Sequence, residues 1–457
     1  KMKRVITFVI SYSFLWILWT FLILCPSTKA QWDGGQILQL TDDDLPNKIV
    51  GLYIDDNDKL YLFYLEGVRD TITGFVYDYR ILYITKEKGG QWSQPEGIQT
   101  PVYIFGQNRR GGLWMDTKTG IIHILYSTWA GDIYDDTLYY TNSTISNWEF
   151  AKIDSLPGQQ WHADYSVFDM EFDSMGNVHM VWHLNFDSIG YRWYKVIYAN
   201  NSTDEWVKQQ VSPPILAGGG RGASYLDVQK NGIAHIVYDA EPYCDLECRP
   251  SYVRNDSLNS TNWITDTVPK PARPLWHYWP DALKVDANDR VHLLTGGCIE
   301  EYCGLEPGNS RFFYYYKQAE DSIWQGPELL LDSTSYWEAI FIDTNSIPYL
   351  AEWDPFTYCW FFTDRKQGFW REPYQILGTA SICNDPTSIY PQDFSFVLDS
   401  QGRGHGVFNG SVFWFIGQDD SLEIFYYGPS ANSVEDTLED YNKFSSELYQ
   451  NSPNPFN

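Results

Sequence analysis

One phrase recurs along the chain: an Asp, a few turn residues, then a His or Tyr set inside an apolar run. Copies include Ile54-Asp55 to Tyr61, Met115-Asp116 to His123, Phe172-Asp173 to His179 and Leu398-Asp399 to His405. The landmark positions 61, 123, 179, 235, 292, 349 and 405 are 62, 56, 56, 57, 57 and 56 residues apart. A fixed period of this size is the mark of a repeat architecture. Each phrase predicts a hairpin: an apolar strand ending at Asp, a tight Asp/Asn/Gly turn, then a second strand. A Tyr-rich third strand follows, then a turn and a Trp opening a fourth, as in Tyr139-Tyr140 to Trp148 and Phe361-Phe362 to Trp370. No segment carries a helical period.

Four strands per repeat predict an all-β, seven-bladed β-propeller of four-stranded blades. The seventh unit lacks its Trp strand, and the segment Trp32-Asp-Gly-Gly-Gln-Ile-Leu38 parallels the Trp370–Leu377 strand. The N-terminal strand is thus expected to complete the last blade and close the ring, leaving no open edge. One propeller over 31–428 replaces the three domains that a length of 457 residues suggests.

Outside the propeller, residues 1–30 read as a signal peptide: Lys3-Arg4, an apolar run from Val5 to Leu24, then a small-residue cleavage site at Thr28 and Ala30. Residues 429–446 read as a linker. The tail Gln450-Asn451-x-Pro453-Asn454-Pro455-Phe456-Asn457 resembles the opening of a type IX secretion C-terminal sorting domain, giving 447–457 as its truncated start. That resemblance implies export through the type IX machinery and a secreted or cell-surface location, with no membrane span after signal removal.

All 59 Asp and Glu lie after residue 30, whereas four of the 32 Lys and Arg lie before it, and the formal net charge is −27. Such a surface repels nucleic acid and anionic lipid. With 44% hydrophobic and 17% aromatic residues, the chain is too apolar for disorder. The pattern gives no sign of an oligomer interface, so a monomer is expected.

The hairpin Thr85-x-Glu87-x-Gly89-x-x-Trp92 resembles the Asp-box (BNR-repeat) signature of sialidase-like propellers, with Thr for Ser and Glu for Asp. Other units keep only the Trp. The resemblance implies the blade architecture and transfers no catalytic residue.

Five histidines (123, 179, 235, 292, 405) hold the repeated strand position and are expected to be structural, while His162, His183 and His277 fall in loops of one propeller face. That face also collects Arg110, Trp161, Asp164, Arg221, Tyr225, Tyr278, Trp279, Trp337, Glu338, Trp353 and Asp393. Aromatic faces pack against pyranose rings, and charged groups bond hydroxyl, uronate or sulfate groups. The expected partner is therefore an extracellular polysaccharide or glycan.

Two cleavage chemistries fit. A lyase needs a base for the proton α to a uronate carboxyl and a cation for the developing charge, roles open to His162, His183, Tyr225 and Arg221. Seven-bladed polysaccharide lyases using His, Tyr and Arg exist, and this set looks like theirs in type. A hydrolase needs two carboxylates, from Asp164, Asp281, Glu338 and Asp393. A non-catalytic lectin or adhesion module, or a protein-contact scaffold, uses the same loops only to bind. Cys244/Cys248, Cys298/Cys303 and Cys359/Cys383 are expected as disulfides in an exported chain. No cofactor is required; Asp55-Asp-Asn-Asp58 could hold calcium but reads better as a repeat turn.

Overall fold

The repeated Asp builds its hairpin by accepting backbone N–H groups. Asp173 Oδ1 accepts from Met175 and Asn177, both at 2.9 Å, and Asp286 Oδ1 from Asn288 at 2.8 Å and Arg290 at 2.9 Å. Asp343 and Asp399 make the same pair of bonds. Three residues after the Asp the chain turns left-handed, at Gly176 with φ 81° and at Asp289 with φ 58°. Glycine takes that conformation without steric penalty. Asp55 spends its oxygens in the same way, on the Asn57 and Lys59 N–H groups and the Tyr61 hydroxyl, and Asp58 bonds Lys88 and Ser400. The segment that could have held calcium is thus a turn.

The computed structural model describes residues 35–41, 47–69, 76–98, 105–106, 109–128, 137–155, 164–188, 191–203, 205–216, 223–240, 249–272, 275, 277–298, 310–331, 336–354, 359–375, 390–401, 403–411 and 423–429. The expected signal peptide, sorting motif and all but the first residue of the linker lie outside them. The described residues belong to one unit apart from Gly35.

They form an all-β propeller, but with six sheets rather than the seven separate blades predicted. The difference has a local cause. A two-residue strand, Phe105–Gly106, pairs with Tyr79 and Asp78 on one side and with Arg109 on the other. It joins the strands from Asn47–Ile54 to Ala151–Ser155 into a single nine-stranded sheet. Four sheets follow whose first strands are Asp164–Phe172, Ser224–Val228, His277–Val285 and Tyr336–Ile342. In the last sheet the order is Gly35–Gln39, Glu423–Pro429, Gly404–Ser411, Tyr390–Leu398, so the N-terminal strand does pair with the C-terminal one.

A second repeated device joins neighbouring units. His123, His179, His235, His292 and His405 each share a hydrogen bond through Nδ1 with a third-strand Tyr hydroxyl: Tyr140, Tyr198, Tyr252, Tyr314 and Tyr426, at 2.5–2.8 Å. Each of those Tyr rings meets edge-on the Trp of another unit: Trp206, Trp263, Trp324, Trp370 and, across the ring closure, Trp92. Centroid separations of 5.0–5.2 Å suit T-shaped aromatic pairs. The repeat-position histidines are therefore structural, as the spacing predicts. Burial acts against ionisation of Asp173, yet hydrogen bonds from His179, Asn177 and the backbone hold it at about 2.

Candidate functional site

Several first strands carry a β-bulge near their start, and the bulged residues show a pattern. The register skips Val50, Val167, Asp281, Glu338 and the pair Gln392-Asp393. A bulge re-aims a side chain and recurs beside active sites. In three consecutive sheets the bulge holds a carboxylate: Asp281, Glu338 and Asp393. The strands His277–Val285 and Tyr336–Ile342 pack against each other, and Phe341 meets Phe396 of Tyr390–Leu398 at 4.9 Å. The acids thus sit at matched positions on neighbouring strands.

Asp281 is the one of the three whose side chain is described. Its Oδ1 accepts the Trp279 indole N–H at 2.8 Å. Its Oδ2 is closed off from solvent and meets no hydrogen-bond partner among the described residues. Burial pushes the carboxyl well above the usual range and so favours its protonated form, opposed only by the Trp279 bond. Trp279 pairs with Gly296 on the next strand. A Cβ at Gly296 would come within 2.6 Å of Asp281 Oδ2 and 2.8 Å of Trp279 Nε1, so the acid occupies space that only glycine leaves.

His183 lies 1% exposed on the second strand Val178–Ser188, opposite Ser166. Its Nε2 shares a 2.5 Å hydrogen bond with Ser224 Oγ, and its ring stacks on Tyr194 at 4.5 Å. Burial lowers its pKa to about 3, so the imidazole is neutral at working pH. Tyr225 follows Ser224 on the strand and projects the other way, packing against the cluster of Val237, Tyr252 and Tyr278. Burial, with Asp281 and Asp169, pushes its hydroxyl pKa up. Of the residues grouped by sequence for a lyase, His183 thus reaches Ser224 on one face of this strand while Tyr225 leaves the other.

Towards the axis, three consecutive first strands bring together Asp169, Glu171, Asp227 and Lys284. Lys284 Nζ bonds Glu171. Asp169 accepts the Leu226 N–H at 2.9 Å, and Asp227 accepts the Val285 N–H at 2.5 Å, so each acid also ties its strand to the next. Burial, then Glu171, raises Asp169 to about 7 against the pull of Lys284. Burial also raises Asp227. For Lys284, burial is outweighed by Glu171, Asp227 and Asp169, and its pKa rises.

A folded-state carboxyl raised above its unfolded value of about 3.9 binds more protons folded than unfolded between the two. Stability from these acids is therefore greatest near the unfolded value and is lost as pH rises through about 7 for Asp169. Lys284 contributes throughout that window, because its raised pKa lies above it. The melting temperature should fall between pH 5 and pH 8, and Asp169→Asn with Asp227→Asn should flatten that slope. An unchanged slope in the double variant would remove these groups as its source.

Of the other sequence-selected residues, Arg110, Asp164, His277, Tyr278, Trp337, Glu338, Trp353 and Asp393 stand in strands rather than in loops. Tyr278 is buried, its hydroxyl 2.7 Å from that of Tyr315. Trp161, His162 and Arg221 lie outside the described residues, as do Cys244, Cys248, Cys303 and Cys383. Cys298 is buried, and Cys359 opens the strand Cys359–Asp364. Sequence reasoning gave Ser224 no role of its own and missed Gly296 and the Lys284 cluster. The first two carry no motif; the cluster's signal was charged residues at matched positions of successive first strands.

Fold and site together define a propeller whose rim carries acids in a repeated bulge. No family model matches the chain, and no curated protein does. Among solved structures it is similar to a polysaccharide lyase, Uly1, at 11% identity over 86% of this chain and 92% of that one, with a TM-score of 0.49. It is also similar to a PL25 ulvan lyase bound to -[GlcA(1-4)Rha3S]-, at 14% identity, 66% and 76% coverage and a TM-score of 0.40. A third is the α-L-arabinofuranosidase Arb93A from Fusarium graminearum, at 8% identity, 86% and 95% coverage and a TM-score of 0.40.

Proposed function

We propose that this protein cleaves extracellular polysaccharide as a glycoside hydrolase, with the bulge carboxylates as its machinery. The observation that carries the reading is Asp281, whose carboxyl burial raises, at a bulge position that Glu338 and Asp393 also occupy on the neighbouring sheets. A raised carboxyl that works with a second carboxylate is the division of labour that glycosidases use. Asp281 gives its proton to the glycosidic oxygen as the C–O bond breaks. A water attacks the anomeric carbon, and Glu338 or Asp393 accepts its proton, so the bond is replaced by the elements of one water. Arg110, Trp161, Asp164, His277, Trp279, Trp337 and Trp353 remain the candidate sugar contacts, and the buried Tyr278 does not.

A second reading, β-elimination at a uronate, is favoured by His183, whose neutral imidazole is held by Ser224 and can act only as a proton acceptor or a neutral donor. Export supports either reading: the leader at 1–30 and the motif at 450–457 fit a secreted or surface-attached monomer delivered by type IX secretion, with Cys298 joined to Cys303.

The test is a panel of neutral, uronate-rich, sulfated and sialylated polysaccharides, with Glu338→Gln, Asp393→Asn and His183→Ala beside the wild type. The hydrolase reading expects one acid variant to lose about 10²-fold or more in turnover and His183→Ala to keep most of it. Loss only in His183→Ala would transfer the assignment to elimination. Binding without products from any polysaccharide would make the protein a lectin.

A further inference from the structure

We infer that Trp279 is a positioning residue for Asp281, selecting Oδ2 as the oxygen that carries the transferable proton. The inference rests on the hydrolase reading for its consequence in turnover, but not for its geometry. Three observations converge. The indole N–H can only donate, so the oxygen it meets, Oδ1, must be an acceptor. A protonated carboxyl has one such bare oxygen, which leaves the hydroxyl at Oδ2. Second, Oδ2 is the atom without a hydrogen-bond partner among the described residues. Third, Gly296 vacates the space into which both Oδ2 and the indole nitrogen fit, and a single methyl there would displace them.

The same bond acts again after transfer. Once the proton has left, Asp281 becomes a buried carboxylate, and the Trp279 N–H is the one described group donating to it. Hydrogen bonds to charged groups are stronger than those to neutral ones. Trp279 thus stabilises the ionised product of proton transfer more than the protonated ground state, which is where a group must act to raise kcat.

Trp279→Phe keeps the ring and removes the donor. Difference infrared spectra of full-length wild type against Asp281→Asn isolate the protonated Asp281 carboxyl band and need no substrate. In Trp279→Phe the pH at which that band disappears should move upward. On whichever panel polysaccharide the wild type cleaves, kcat should fall roughly ten- to hundredfold with KM little changed, and the alkaline limb of the pH profile should move up with the band. An unmoved band and an unmoved limb overturn the inference. If the band moves but Asp281→Asn cleaves as well as wild type, the positioning stands and the hydrolase reading falls. Gly296→Ala should reproduce the kcat loss by crowding Oδ2; should that variant fail to fold, Trp279→Phe decides alone.

Discussion

Asp281→Asn should lower turnover of a cleavable polysaccharide by about 10²- to 10⁴-fold, the usual worth of a positioned general acid. Asn is nearly isosteric, and its carbonyl oxygen can still accept the Trp279 N–H, so the surroundings need not rearrange. What is lost is the transferable proton. Because burial favours the neutral form of the native group, replacing it with a neutral amide should change stability by no more than about 1 kcal/mol. Measuring kcat alongside the unfolding midpoint separates the two effects. A variant that stays folded and active would show that Asp281 is a buried core acid without a catalytic part.

The largest stability effect should come from Tyr252→Ala. Tyr252 is fully buried, shares its hydroxyl with His235 Nδ1 at 2.5 Å and meets Trp324 edge-on at 5.2 Å. The Lys317 ammonium lies 4.4 Å from its ring centre and bonds Asp266. Truncation leaves a cavity between two sheets, strips one face from a buried cation–π contact and leaves His235 Nδ1 without its hydroxyl. Aromatic-to-Ala changes in a core cost about 3–5 kcal/mol, and this site combines several losses. Chemical denaturation should show that drop, while Tyr252→Phe should lose only about 1–3 kcal/mol for the buried imidazole nitrogen left unpaired. Equal losses in the two variants would mean the hydroxyl, not the ring, joins the sheets.

The hairpin repeat was legible in the sequence because its chemistry is local. An Asp that caps its own turn two and four residues on must keep that spacing, and a His that reaches a Tyr one strand over must recur with it. Pairing of the N-terminal strand with Glu423–Pro429 was legible as well, since a missing Trp strand at one end matched a spare one at the other. The sheet count was not. Phe105–Gly106 is too short to carry a period-two pattern, yet its few hydrogen bonds merge two units into one sheet.

In the site, Asp281, Glu338 and Asp393 could be singled out as rim acids, but their shared bulge is a property of pairing and has no residue signature. The contact between His183 and Ser224 spans 41 positions and two sheets. By contrast, the opposed faces of Ser224 and Tyr225 follow from strand alternation alone, and only the contact with Ser224 then separates Tyr225 from His183. The axial acids and Lys284 look like solvent-facing strand positions until three first strands converge.

The central claim is that the bulge acids add water across a glycosidic bond. The most direct measurement is the mass of soluble oligosaccharides released by the full-length protein in heavy-oxygen water. Hydrolysis predicts one heavy oxygen per new reducing end, and about 10²- to 10⁴-fold slower release of these products from Asp281→Asn. Products lacking the elements of water would contradict the claim and move the chemistry to His183.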